Sequence, residues 1–293
     1  MDGVLIIDKP KGVTSHDVVY MVRRKLGIKK VGHTGTLDPI ATGVLPILIG
    51  KATKLSDKLS STTKEYIAEF KFGIQTDSLD ITGNITHESK IIPSKDDVIN
   101  ALDNFRGKIL QEPPIYSAIK INGRKLYEYA RAGETVEIPK RECNILSLEL
   151  LEAAENKFSL YIHCSSGTYV RSLIRDIGLA LNSFATMTEL RRISTGKFKI
   201  ENSITKEYLE NFDLNSIQDK LIPMDKALSF EKIELKDEMY SKIINGMICK
   251  VENIYDKNSE YNVYCKNNYI GIGKYMYHNN IWGIKIIKKL IDN

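Results

Sequence analysis

Apolar positions along this chain change period several times, and each change marks an element. Val4 to Ile7 is a continuous apolar run too short for a helix; it predicts a buried strand that ends in the turn Asp8-Lys9-Pro10-Lys11-Gly12. Val18, Val19, Val22 and Leu26 keep helical spacing, with Thr14 or Ser15 as the N-cap and Gly27 as the stop. Val44 to Ile49 is a second apolar run. Tyr66 to Gly73 alternates apolar and polar residues, as a half-buried strand does. Residues 76–95, rich in Thr, Asp, Ser and Gly, predict a loop, and Asp96 to Phe105 a helix. Pro113-Pro114 opens an irregular stretch, and Gly123 to Gly133 encloses a short helix. Phe158 to Cys164 reads as a strand, after which Ser165 to Thr168 turns into a helix over Tyr169 to Leu181.

Strands and helices mix without a regular βαβ repeat, so the expected class is α+β with a mixed sheet. Glu201 to Asp219 carries five acids and one lysine and reads as a connector with some helix. Past Pro223 the composition shifts to short Tyr- and Ile-rich strands broken by glycines. The expected organisation is a main domain over 1–222 and a small β-rich module over 223–293.

Charge adds little at whole-chain scale: 42 basic against 37 acidic residues give +5, which permits nucleic-acid binding without demanding it. Locally, Arg23, Arg24, Lys25, Lys29 and Lys30 lie together, as either a solvated helix face or a phosphate-binding patch. The four cysteines, at 143, 164, 249 and 265, form neither a CxxC pair nor a zinc spacing, so ordinary thiols and no metal are expected. The N-terminus lacks a basic region and a long apolar run, and no stretch approaches a membrane span. A cytoplasmic protein is expected.

The most informative run is Gly32-His33-Thr34-Gly35-Thr36-Leu37-Asp38-Pro39-Ile40-Ala41-Thr42-Gly43-Val44-Leu45-Pro46, one carboxylate among small and turn-forming residues. Taken alone, Asp38 before Pro39 is also the pattern of a turn-former or N-cap. Gly50-Lys51-Ala52-Thr53 lacks the upstream glycine and the Ser or Thr after lysine that a P-loop needs. Gly32 to Gly35 satisfies the four-residue GxxG of a single-strand RNA clamp, a weak match. The order of the fifteen residues resembles the catalytic motif of the TruB family of tRNA pseudouridine synthases. Further segments extend the likeness: Leu5 to Ser15, Lys64-Glu65-Tyr66, Pro113 to Lys120 with Tyr127 to Arg131, Gly167 to Leu173, and Leu190-Arg191-Arg192. Ser166 departs from the lysine common there.

The resemblance implies a pseudouridine synthase catalytic domain with an RNA-contacting insertion over about 113–142 and a PUA-like C-terminal domain. It implies that Asp38 is catalytic and ionised, that Arg171 pairs with it and depresses its pKa, and that Tyr66 stacks on the uracil near C5. Tyr169 and Leu190 would line the base pocket. His33 would stand where the base leaves its stack, and Lys9 would belong to the same RNA-facing surface. The implied substrate is the T-arm stem-loop of tRNA, with uridine 55 isomerised by a monomer that needs no protein partner. Isomerisation involves no net redox change and no group donor, so no cofactor is implied. The tail lysines 274, 285, 288 and 289 are candidates for phosphate contact, as are the Arg23–Lys30 cluster and Lys120, Arg124 and Arg131. Two rivals are a non-catalytic RNA binder, against which Asp38 argues, and the catalytic subunit of a guide-RNA particle, against which the short N-terminus and the lack of a basic tail argue.

Overall fold

The computed structural model describes residues 1–211, 216–278 and 280–291, so positions 212–215 of the acidic connector lie outside the described residues. Strand β1 (Gly3–Lys9) leads through helix α1 (Ser15–Leu26) to β2 (Val31–His33) and β3 (Thr42–Ile49). Helix α2 (Ser56–Ser60) precedes β4 (Lys64–Phe72) and a small hairpin of β5 (Ile74–Thr76) and β6 (Ile85–Glu88). Then come α3 (Lys95–Leu102), β7 (Gly107–Gln111), the two-residue strands β8 (Lys120–Ile121) and β9 (Arg124–Lys125), and α4 (Leu126–Ala132). The long β10 (Arg141–Ala154), β11 (Lys157–Cys164), α5 (Val170–Ala180), β12 (Ala185–Thr195) and β13 (Phe198–Lys199) follow. A nine-stranded mixed sheet takes the order β1-β3-β12-β4-β11-β10-β7, with β2 on β3 and β13 on β12.

The local rules explain much of this. Thr14 caps α1 in a reciprocal capping box with Asp17, and Gly27 ends the helix in the left-handed conformation. Strict alternation along β4 points Lys64, Tyr66, Ala68, Phe70 and Phe72 to one side. The continuous apolar runs have a different cause. Leu5, Ile7, Leu45, Ile47 and Ile49 enter the main core under α1 and α5, whereas Val4, Ile6, Val44 and Leu48 face the other way. There they meet Ala227, Leu228, Ile272 and Leu290 of the C-terminal segment. Both faces of β1 and β3 are therefore dry.

That C-terminal segment forms a five-stranded sheet of β14 (Glu231–Leu235), β15 (Cys249–Lys250), β16 (Glu260–Cys265), β17 (Asn268–His278) and β18 (Ile281–Lys289), ordered β14-β16-β17-β18-β15. It has its own core around Ile233, Val263, Ile270 and Ile284 and also shares the second core of the main sheet. Two of the lysines expected to contact phosphate are tied down: Lys288 pairs with Asp57, and Lys289 donates to the Ile244 carbonyl at 2.9 Å. The connector shields the free edge of β1, pairing Ile204 with Ile7 and Ile222 with Val4.

One expectation changes, and two strands had no signal in the sequence. Residues 76–95 are not only loop, because β6 pairs with β5; all four β6 residues are exposed, so no apolar alternation marks it. Strands β10 and β12 are long, yet each carries register shifts that break a period of two.

Truncation before residue 223 would bare the apolar face of Val4, Ile6, Val44 and Leu48. It is expected to lower the melting temperature by more than about 10 °C or to cause aggregation, and Ile272→Ala should cost roughly 2–5 kcal/mol. Thermal melts of both variants check this; a truncated chain as stable as the full one would show that the face needs no cover.

Candidate active site

Asp38 sits on the loop between β2 and β3, and the sequence pins that loop from three sides. Ser15, in the first turn of α1, clasps Leu37: its hydroxyl accepts from the Leu37 N–H at 2.9 Å and donates to the Leu37 carbonyl at 3.1 Å. The Gly12 N–H donates to the Pro39 carbonyl at 2.8 Å. Arg192 donates through Nε to the Val44 carbonyl at 2.7 Å and through Nη2 to the Gly35 carbonyl at 3.0 Å, so one side chain grips the loop before and after Asp38. Gly43 lies in parallel register against Arg192 with φ +106°, and a Cβ there would collide with the Arg192 carbonyl.

Arg171, in the first turn of α5, meets Asp38 with two prongs: Nε lies 2.9 Å from Oδ2 and Nη2 donates to Oδ1 at 3.1 Å. The guanidinium is otherwise held by the Ser78 and Tyr116 carbonyls at 2.9 and 3.1 Å, with Asp80 at 3.8 Å behind it. The arginine side chain is 6% exposed and the carboxylate side chain 33%, so the pair is dry on the arginine side and open on the aspartate side. The expected depression of the Asp38 pKa does not survive this geometry. Burial pushes the carboxyl above its ordinary value, Arg171 pulls it back down, and Asp80 adds an upward push.

The pair faces a cavity of about 310 Å³ whose walls include Tyr66, Tyr169, Leu190, Lys64, Tyr116 and Arg192. Thus Asp38, Tyr66, Arg171, Tyr169 and Leu190, drawn from four separate parts of the chain, meet around one space. Burial raises the Tyr66 hydroxyl above its usual pKa although Arg192 opposes this, so it is a neutral phenol at pH 7. His33 is not on this wall; it ends β2 with its ring half-buried, and burial lowers its pKa. Its Nδ1 is buried without a hydrogen-bond partner among the described residues.

Lys9 departs from expectation. It is fully buried, and its ammonium donates to the carbonyls of Pro10 at 2.9 Å, Val13 at 2.8 Å and Pro39 at 3.4 Å. It therefore presents no charge to an RNA surface and instead fastens the first turn to the Asp38 loop. Burial lowers its pKa from 10.5 to about 8.

Sequence reasoning missed three further residues. Arg192 and Lys64 bring positive charge to the cavity, both among the buried polar residues. Gln111, at the end of β7, is 2% exposed and grips the backbone of Tyr169 twice: its amide donates to the Tyr169 carbonyl at 3.0 Å and accepts from the Tyr169 N–H at 2.8 Å. That double bond fixes the entry of α5 two residues before Arg171. A glutamine ahead of Glu112-Pro113-Pro114 carries no sequence signal of such a role.

Two outcomes follow from this geometry. Gln111→Leu leaves the Tyr169 N–H unpaired and its carbonyl with the Leu173 N–H alone, so kcat should fall about tenfold, with KM for RNA within about twofold and a lower melting temperature; unchanged kcat in steady-state assays would remove Gln111 from the positioning of Arg171. Lys9→Met should leave RNA affinity within about twofold. Because the unfolded chain holds the Lys9 proton up to a higher pH than the folded one, this lysine's cost to the fold shrinks between pH 8 and 10.5, so denaturant melts should show wild type gaining stability relative to Lys9→Met as pH rises across that range; a difference that stays constant would show that Lys9 does not titrate with the fold.

Known proteins place this arrangement. Residues 23–170 match the family model for the N-terminal domain of TruB family pseudouridylate synthases, and residues 171–229 match the model for the tRNA pseudouridylate synthase B C-terminal domain. A curated protein of Clostridium kluyveri named tRNA pseudouridine synthase B is 45% identical over 278 residues, covering 93% of this chain and 95% of its own. One of the same name from Clostridium tetani is 44% identical, covering 99% of this chain and 100% of its own. Among solved structures, an H/ACA RNP bound to a substrate RNA containing 2′-deoxyuridine superposes with a TM-score of 0.73 at 26% identity, over 99% of this chain and 85% of that one. A loop-borne aspartate, its two-pronged arginine and an aromatic-walled cavity, on a fold and sequence shared over nearly the whole length, make this chain a member of the TruB family of pseudouridylate synthases.

Proposed function

We propose that this chain converts uridine 55 in the T-loop of tRNA to pseudouridine, with Asp38 as the reacting carboxylate. The observation that carries this reading is the two-pronged Asp38–Arg171 pair at the wall of the Tyr66 cavity. The curated relatives named tRNA pseudouridine synthase B support the choice of substrate.

Pseudouridine forms when the bond from ribose C1′ to uracil N1 breaks, the base turns, and C1′ joins C5, from which a proton leaves. A carboxylate serves by attacking the sugar, by attacking the base, or by removing a sugar proton, and each route needs Asp38 ionised. Arg171 keeps that anion charged and aimed while burial works against it. In this reading Tyr66 stacks on the flipped uracil with its hydroxyl toward C5, and Tyr169 and Leu190 close the other walls. His33, neutral by burial, fills the space the base vacates. Residues 113–142 carry the insertion that grips the T-arm, 1–222 the catalytic domain and 223–293 the PUA-like domain. The protein works as a cytoplasmic monomer without cofactor or obligatory partner; no helix among the described residues is long and apolar enough to cross a membrane. Identity of 44–45% to the relatives named tRNA pseudouridine synthase B, against 26% to the chain of the H/ACA RNP, favours the tRNA-directed activity.

With an unmodified T-arm hairpin as substrate, Asp38→Asn should lower the rate of pseudouridine formation by more than about a thousandfold while RNA affinity stays within a few fold. Substantial turnover by this variant would sink the assignment. Arg171→Lys, which cannot supply two parallel donors, should lose about a hundredfold in kcat; a lysine variant that turns over like wild type would show that the pairing is dispensable. Because burial raises the Asp38 pKa, activity should fail on the acid side at a pH above that of an ordinary carboxylate, in a rate profile between pH 4 and 8.

A further inference from the structure

The C-terminal sheet carries a series of aromatic rings that begins in its core and surfaces at one end. Tyr261, 3% exposed, packs edge-on against Tyr255 with centroids 5.4 Å apart, and Tyr255 meets Tyr275, 6% exposed, at 5.9 Å. Tyr275 stacks on Trp282 at 5.2 Å with an interplanar angle of 24°, and Trp282 touches Tyr277 at 5.4 Å. The last two are 39% and 56% exposed. Register explains the series: Tyr275 stands opposite Ile284, and Tyr277 opposite Trp282, so these side chains share one face of the β17–β18 pair. The opposite face of the same sheet supplies Ile272 to the core shared with the main sheet. The inner rings are core residues. The outer two contribute little to any core in this fold, and water-exposed Trp and Tyr side by side are costly unless something covers them.

The charges around the outer rings indicate what does. The Lys257 ammonium lies 4.7 Å from the centre of the Trp282 ring, and Lys257 makes no ion pair among the described residues. The neighbouring acids are already engaged. Asp256 accepts from the Asn258 N–H at 3.0 Å and from the Ser259 hydroxyl, and Glu252 pairs with Lys236 at 2.7 Å. The exposed Tyr277 ring, beside an indole stacked on one side by Tyr275 and covered by a displaceable ammonium, matches an unpaired nucleotide: its base stacks on the rings, and its phosphate takes the ammonium. A duplex, whose bases are already stacked, offers no such face. We propose that Trp282, Tyr277 and Lys257 form a second RNA contact, remote in sequence from the catalytic loop, that binds single-stranded nucleotides flanking the target hairpin. This rests on the reading of the chain as an enzyme acting on tRNA. On binding, the ammonium leaves the indole for the phosphate and a base takes its place.

Trp282 is the chain's single tryptophan, so its fluorescence reports this surface and no other. Full-length protein is titrated with hexauridylate, with a six-base-pair RNA duplex, and with the T-arm hairpin with and without a six-nucleotide single-stranded extension. Hexauridylate and the extended hairpin should quench the emission, while the duplex and the bare hairpin should leave it unchanged. Tyr277→Ala should weaken hexauridylate binding about tenfold, and Lys257→Ala should weaken it severalfold and reduce its logarithmic salt slope by about 0.7. Both variants should convert the bare hairpin at the wild-type rate. Equal quenching by duplex and single strand, or no quenching by an extended hairpin that demonstrably binds, would overturn the proposal. An emission change that tracks protein concentration without RNA would also overturn it, and would assign the surface to a second copy of the chain. Turnover of the bare hairpin, measured in the same samples, tests the catalytic reading separately: its failure leaves the fluorescence result standing, and the reverse holds as well.

Discussion

The architecture turns on the pairing of one carboxylate with a buried guanidinium. A carboxylate near an apolar cavity prefers to take up a proton, and the burial of Asp38 has that effect. Arg171 opposes it, and a guanidinium buried to 6% exposure is itself tolerable only when its donors are satisfied. The Ser78 and Tyr116 carbonyls and the carboxylates of Asp38 and Asp80 do this from segments far apart in sequence. The ion pair therefore constrains the loops at 78–80 and at 116 as strictly as it constrains the Asp38 loop. A sheet packed on both faces provides the rigid frame on which such distant segments meet.

A second constraint follows from where the strands lie. With β12 inserted between β3 and β4, the strand that delivers Leu190 and Arg192 to the cavity also closes the main sheet. Arg192 holds carbonyls on both sides of Asp38 without a carboxylate of its own among the described residues, and Lys64 and Lys9 are buried nearby, each with a pKa lowered to about 8. Arg192 and Lys64 thus bring buried positive charge to the cavity beside the Asp38–Arg171 pair, held by main-chain carbonyls in place of acids.

Most of what was legible in the sequence was local. Gly27 states the end of α1 and the Thr14-Ser15 pair its start to within one residue, Thr14 proving to be the cap, and strict alternation declares β4. Val4 to Ile7 and Val44 to Ile49 announce strands buried on both faces, though not that the second face belongs to the C-terminal segment. The resemblance led to Asp38, Arg171, Tyr66, Tyr169 and Leu190, which do share one cavity. What escaped depends on tertiary partners. Lys9 reads as a surface lysine in a turn because its acceptor at Pro39 lies thirty residues away. Gln111 looks like any polar residue at a strand end until α5 docks on it. Strand β12 hides behind two register shifts and a polar composition, and β6 has no buried side to alternate with.

The parallel contact between Thr42–Gly43 and Arg191–Arg192 has a consequence for how the molecule comes into being. Sheets closed by partners so distant in sequence form slowly, because the chain entropy of a long loop is lost before any pairing repays it. During synthesis the first 180 residues emerge with a gap in the sheet where β12 belongs, and with the carbonyls of Gly35 and Val44 still waiting for Arg192. A ribosome-bound fragment can hold Asp38 and Arg171 and yet lack the frame that aims them. The frame that aims the Asp38–Arg171 pair is therefore complete only once β12, residues 185–195, has joined the sheet.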